Sequence, residues 1–450
     1  MKTKIDFIKG NTKHCLAAMV LPLMAAMFLN MAYNLVDSLW IGNLLGETAY
    51  AALTNSTPII LILSSVAMGA TNGVTILLSQ AIGAGYQEKT DQLIVTSLVT
   101  AIIFSLGVTV LAEAALKPIL VFLNTPDEVM QLARQYLSIY LLGYLAVYLY
   151  CYFTAVLRSF GNSVFQVAAM LICTLLNAAL DPLFIHFMGF NGAAVATVLS
   201  QTLCLIFMLL YLYKKQLFNL HLSLFNKKFI PLFIIKGVPS AFQQSIPAIS
   251  TGFLTSLVAG YGISALAAYG ITGKLETILF YPAMALNMAL TSIIGQCAGG
   301  KRYDRAKEYI KVSLIYGSVV LAVLSVCVIC FSRPLSHLFV DSEPAADIVG
   351  IYFKIVGIGY VLNTITNCFL GSLNGMGRPA KSLLCMILYY IIIRMPLAWI
   401  LSHYNAGING IWTAVLISHI IAAAAAAVMA NRELFKQKQA DTASIQSTVQ

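Results

Sequence analysis

Charge is what this sequence has least of. Its 450 positions hold 27 basic and 17 acidic residues, a charged fraction of 10%, whereas soluble domains carry roughly a quarter. A folded chain that is 59% apolar, with a mean hydropathy of +0.84, cannot cover itself with a water-compatible surface, so a soluble enzyme module is excluded. Phosphate-binding GxxxxGK[ST] loops, HExxH, GxSxG and polar carboxylate pairs are also missing, and no polar segment could house a nucleotide-binding domain. Direct ATP drive and enzymatic chemistry are therefore not expected, nor is a bound cofactor. Paired cysteines are lacking too: the nine are odd in number and lie in apolar runs. The Cys327-x-x-Cys330 pair sits in VLSVCVICF without His or acidic neighbours, which reads as packing rather than zinc or redox chemistry.

Long apolar runs are abundant. A spanning helix takes about 20 apolar residues, and twelve such stretches follow one another at about 14–41, 51–79, 92–116, 129–156, 163–187, 192–213, 232–258, 265–295, 309–331, 347–372, 380–402 and 408–430. The expectation is an all-α integral membrane protein with twelve transmembrane helices. Lys2, Lys4, Lys9 and Lys13 precede the first run and no small-residue cleavage site follows it, so the first helix is expected to be retained. With the N-terminus inside, 21 of the 27 basic residues fall in cytoplasmic segments, and Lys117 and Arg333 are the only ones in external loops. This asymmetry places both termini in the cytoplasm. It also accounts for most of the +10 net charge without nucleic acid.

The two halves resemble each other at an offset of 216 residues: SQAIGAG at 79 meets GQCAGGK at 295, YLSIYLLGY at 136 meets YFKIVGIGY at 352, and Gly161 meets Gly377. After a small slip NGAAVAT at 191 meets NGIWTAV at 409. Six spans per repeat is an even number, so the repeats are parallel, as in two-lobed secondary transporters that rock about a central cavity. The expected lobes are 1–226, including a lysine-bearing cytoplasmic linker, and 227–450, including a polar tail.

Four acids lie inside spans: Asp37, Glu113, Asp181 and Glu276. A mid-membrane carboxylate costs about 2.5–3.5 kcal/mol on insertion scales and so needs a partner, a proton, an ion or a cavity. Asn177 and Asp181 are four apart and share a helix face, and Pro182 frees a backbone carbonyl one turn back. With Asp37 they would suit a shared proton or a sodium ion; the structural alternative is local capping. At the 216 offset Asp37 meets Phe253, and Asp181 falls beside Arg394, so the acid pair is not duplicated. The second half instead holds Lys274, Glu276 and Arg394, read either as an ion pair or as part of a substrate cavity. Glu113 and Lys117 read as a snorkelling pair. Tyr136, Tyr140, Tyr144 and Tyr148 form a stripe that packs the core or holds a planar cation, and Met19, Met24, Met27 and Met31 in the first span with Met284 and Met288 in the eighth pack the core or form an adaptable apolar wall.

The segments LPLMAAMFLNMAYNLVDSLWIG, LRSFGNSVFQVAAMLICTLLNAALDPLFI, NGAAVATVLSQ, AAYGITGKLETILFYPAMALNMALTSIIGQCAGG and LNGMGRPA resemble the multidrug and toxic compound extrusion (MATE) family over essentially residues 14–430. The resemblance implies twelve helices in two bundles, a bacterial inner-membrane location, and antiport of organic cations against protons or sodium ions. By likeness to the DinF-like branch, Asp37 would be the coupling residue and Pro22 the bending point of the first helix. Asn177, Asp181 and Thr197 would complete the cation cluster, with Tyr136, Thr154 and Asn30 as surrounding hydrogen-bond groups. The helix-seven acid of the other bacterial branch is replaced here by Gln243 and Gln244. A monomer in the lipid bilayer is expected. The alternatives are a lipid-linked oligosaccharide flippase of the same superfamily, which would want basic residues in its cavity, and an uncoupled channel or receptor.

Overall fold

Apolar runs bounded by glycine, proline and charge become helices throughout the computed structural model, which describes residues 5–123, 125–216, 218–339, 342–404 and 407–449. No strand occurs among these residues. Helix α1 (Thr12–Gly83) has two arms, Thr12–Gly46 and Thr48–Gly83, broken where Gly46 takes φ 77°, ψ −167°, a backbone region essentially reserved for glycine. There follow α2 (Gln87–Phe122), α3 (Asp127–Leu142), α4 (Tyr144–Ser159), α5 (Val164–Met188), α6 (Phe190–Lys215), α7 (Ile230–Ala259), α8 (Ile263–Gly299), α9 (Tyr303–His337), α10 (Glu343–Val356) and α11 (Gly359–Gly375). The last pass but one is α12 (Pro379–Met386), a π-helical stretch Ile387–Arg394 and α13 (Met395–His403), and α14 (Gly407–Val449) closes the chain.

Nine helices among the described residues are long and apolar enough to cross a bilayer. Two bent pairs raise this to eleven: α3 with α4, at 49°, and α10 with α11, at 53°. The spans expected at 129–156 and 347–372 are each bent, at Gly143 and around Gly357. The 30-residue α7, with Lys236, Gln243 and Gln244, is more polar and is not among these eleven; at the 216 offset it aligns with the first arm of α1. Ile315, Val319, Val323 and Val326 form an exposed apolar stripe along α9, as a lipid-facing helix requires.

The chain divides into two compact units. The first takes in Leu21–Ile82 and Tyr86–Ala241; the second takes in Asp6–Val20, Gly83–Gly85 and the chain from Phe242 onward. The beginning of α7 belongs to the first unit because small residues allow backbone-to-backbone approach: a Cβ on Gly69 would lie 2.2 Å from Ala241 Cα, and one on Gly73 2.6 Å from Gly237 N. The first core is built on Tyr136, Tyr140, Tyr144, Tyr148 and Tyr152; the second holds Tyr352, Tyr360 and Trp412.

The repeat extends to single hydrogen bonds. Asn162 N donates to Leu157 O at 2.9 Å, and Arg378 N, 216 residues on, to Leu373 O at 2.9 Å. Thr75 Oγ1 reaches Ala155 O at 3.5 Å and Thr291 Oγ1 reaches Gly371 O at 3.4 Å. Gly161 and Gly377 take φ of 77° and 76°, and Gly46 is matched by Gly262 at φ 99°.

Candidate ion-coupling site

Asp37, on the first arm of α1, and Asp181, on α5, are both buried, and their side chains come within hydrogen-bonding reach of each other. Asn177 Nδ2 donates to Asp181 Oδ1 at 2.9 Å, the four-residue spacing doing what a helix face predicts. Thr197 on α6 and Tyr33, one turn before Asp37, are buried in the same place, and the Tyr33 hydroxyl faces Thr197 and Ser200. Tyr136 lies within electrostatic reach of Asp37, Asp181 and Tyr33, its ring stacked on Phe190 with centroids 4.8 Å apart.

Five oxygens at this place are buried without a hydrogen bond of good geometry: Asp37 Oδ1, Asp181 Oδ2, Asn177 Oδ1, Thr197 Oγ1 and the Tyr33 hydroxyl. Buried polar atoms are normally satisfied. Three of these five are pure acceptors, so only a donor or a cation can meet them. Two adjacent carboxylates cannot both stay charged and unneutralised in a low-dielectric site. A proton shared by the acids, or a hard monovalent cation taking several oxygens, fits this set. No group of three or more His, Cys, Asp and Glu converges among the described residues, so the donor set is not one that transition metals favour.

Other expected residues make contacts of their own. Asn30 is exposed and accepts a bond from Asn34 Nδ2 at 2.8 Å through its backbone carbonyl. The Thr154 hydroxyl donates to Cys151 O at 2.8 Å, within its own helix. Helix α1 runs through Pro22 with helical dihedrals, departing from them only at Gly46. The tyrosine stripe packs: Tyr144 OH donates to Leu63 O at 2.9 Å and stands edge-on to Tyr148. Glu113 accepts from Ser138 Oγ at 2.7 Å in place of the expected Lys117 contact.

In the second unit no ion pair joins Glu276 to Arg394 or Lys274 among the described residues. Glu276 Oε1 accepts from the hydroxyls of Tyr352 and Tyr360, the latter at 2.5 Å. Arg394 Nε donates to Ser418 Oγ at 2.9 Å and Nη2 to Tyr389 OH at 2.7 Å, with the guanidinium 4.6 and 4.5 Å from the Tyr389 and Tyr390 ring centroids. His419 Nδ1 meets Tyr389 OH at 2.6 Å. Lys274 sits 5.1 Å over the Phe339 ring. Phenols have replaced the counter-ions. Tyr33, Tyr352, Tyr360 and Tyr389 are the residues that sequence reasoning missed. The one available signal was that Tyr136 and Tyr144 align with Tyr352 and Tyr360 across the repeat.

A repeat-built, multi-pass membrane protein with buried, unmatched carboxylates in one repeat has the architecture expected of a secondary transporter. The chain belongs to the MatE family, whose pattern matches residues 22–183 and 239–400. It is 28% identical over 436 residues to the probable multidrug resistance protein YpnP of Bacillus subtilis, covering 94% of this chain and 95% of that one. It is 26% identical over 454 residues to a FAD transporter of Shewanella oneidensis, covering 98% and 100%. The Vibrio cholerae MATE transporter VcmN in its bent form superposes with a TM-score of 0.90 at 24% identity, over 95% of this chain and 98% of that one.

Proposed function

We propose that this protein is an antiporter that exports cationic amphiphilic compounds in exchange for protons or sodium ions, working as a monomer in a bacterial inner membrane with both termini cytoplasmic. The observation that carries the reading is the set of five unmatched buried oxygens around Asp37 and Asp181. A proton shared by the two acids, or a sodium ion coordinated by several of these oxygens, supplies a missing partner. Asp37 is on the same arm of α1 as Pro22, so a change of partner at Asp37 is passed to a helix already weakened there. Bending at Pro22 would then displace the substrate. The name of the Bacillus relative supports drug export as the class of cargo. The flippase alternative is less favoured, since Arg394 lies against the rings of Tyr389 and Tyr390 and Lys274 covers Phe339. The Shewanella relative favours a second reading, in which the cargo is a flavin nucleotide.

Everted vesicles loaded with a fluorescent organic cation test the reading, with FAD as a second cargo. Wild-type protein is expected to move the cation uphill under a proton or a sodium gradient, and Asp37→Asn to abolish this. Normal rates for Asp37→Asn under both gradients would sink the coupling role. Absence of uphill movement in the wild type would leave the uncoupled channel.

A further inference from the structure

The second unit carries a chain of carboxamides with no counterpart in the first. Asn287 Nδ2, on α8, donates to Asn367 Oδ1, on α11, at 3.2 Å. Asn367 Nδ2 in turn reaches Asn363 Oδ1 at 3.2 Å and Asn363 O at 3.0 Å. The chain starts at half-buried Asn287 and Asn367 and ends at Asn363, which is 2% exposed and whose Nδ2 has no partner. Helices α8 and α11 touch here through Gly371 and Gly375, where an added Cβ would lie 2.5 Å from Asn287 O and 2.9 Å from Thr291 O, a small-xxx-small contact.

Carboxamides often serve only to join membrane helices, but two observations speak against that role here. The first unit makes the matching contact, Thr75 to Ala155 O, with Thr71, Cys151 and Val147 at the three aligned positions, so this crossing does not require the ladder. A brace selected for stability would also not end on a buried donor left unmet. Asn287 spends one N–H on Asn367 and keeps the other N–H and its Oδ1. One donor and one acceptor are thus left on half-buried Asn287, which lies on α8 between Met284 and Met288 in the sequence, and both are open to a ligand.

We propose that the Asn287–Asn367–Asn363 ladder is a substrate subsite that hydrogen-bonds an amide, lactam or imide edge of the exported compound. The inner carboxamides fix the orientation of Asn287, and the flanking methionines accept varied apolar bodies. This rests on the export reading above and adds to it a class of cargo.

A matched pair of cations provides the test: tetraphenylphosphonium, which has no hydrogen-bonding group, and (4-carbamoylphenyl)triphenylphosphonium, which differs by one carboxamide. In proteoliposomes the wild type is expected to show a KM about 3- to 10-fold lower for the carbamoyl cation, the range of one net neutral hydrogen bond. Asn287→Thr and Asn367→Cys, which install the first unit's own residues, should bring the KM ratio near one by raising the KM of the carbamoyl cation more than that of tetraphenylphosphonium. A wild-type ratio near one with transport intact overturns the ladder proposal alone. So do variants that slow both cations equally or fail to fold, since either outcome marks a brace. If the wild type moves neither cation uphill, the export reading itself falls.

Discussion

The two units share a backbone and differ in how they treat buried charge. In the second, Glu276 has two phenol donors and Arg394 has a serine, a phenol and two aromatic faces. In the first, Asp37 and Asp181 face each other with carboxyl oxygens left unmet. Satisfied charges hold a structure in one state, whereas unmet ones respond when an ion arrives. On the reading proposed above, coupling belongs to the first unit, which buries Asp37, Asp91, Arg158 and Asp181 where the second buries Arg394 and Glu433.

The sharpest way to break this contrast is to neutralise one acid in each unit. Asp37→Asn and Asp181→Asn should each reduce uphill export to the rate of protein-free vesicles. Glu276→Gln should retain a response to the ion gradient. If Glu276→Gln removes the gradient dependence as completely, both units couple and the contrast is wrong.

A smaller effect concerns helix approach. Position 155 is alanine where its counterpart 371 is glycine, so the first unit tolerates a methyl group that the second does not. Gly371→Ala should cost about 1–3 kcal/mol through overpacking and disturb Asn287, seen as a lower unfolding temperature in detergent. Ala155→Gly should cost at most about 1 kcal/mol, the backbone entropy of glycine. Equal losses would mean that the two crossings are equally close.

Smaller again is the contrast between two aligned tyrosines. Tyr144 donates to the carbonyl of Leu63 and Tyr360 to the carboxylate of Glu276. Tyr144→Phe removes a neutral hydrogen bond, about 0.5–1.5 kcal/mol, and Tyr360→Phe one to a charged group, about 1.5–3 kcal/mol. Thermal unfolding of the two variants measures the gap. If Tyr144→Phe is the more damaging, Glu276 is not the structural anchor that its phenol bonds make it.

What could be read from the sequence was whatever depended on local spacing or on repetition. Asn177 and Asp181 share a face because they are four apart, and the 216-residue offset marked glycines that proved to have matching backbone angles. Thr197 came from family resemblance, and it does lie with the acids. Tyr33 was illegible because a tyrosine in an apolar helix is ordinarily packing. The partners of Glu276 come from positions 76 and 84 residues away, and no local pattern pairs a carboxylate with a phenol on another helix. The bends at Gly143 and near Gly357 went unread because each lies within an apolar run long enough to span without bending.

The smallest expected difference is none, and it tests whether the repeat is physical equivalence or only likeness of outline. Gly46 at φ 77°, ψ −167° and Gly262 at φ 99°, ψ 175° both lie in the region that other residues avoid, and neither would bring an added Cβ within 4 Å of another group. With no clash in either place, alanine costs only the backbone strain, about 1–3 kcal/mol. Gly46→Ala and Gly262→Ala should therefore lower the unfolding temperature of detergent-solubilised protein by the same amount, and leave the cation transport rate alike in both. A clear inequality would mean that one turn is supported by its unit and the other merely tolerated, and the functional asymmetry would then reach the backbone as well as the side chains.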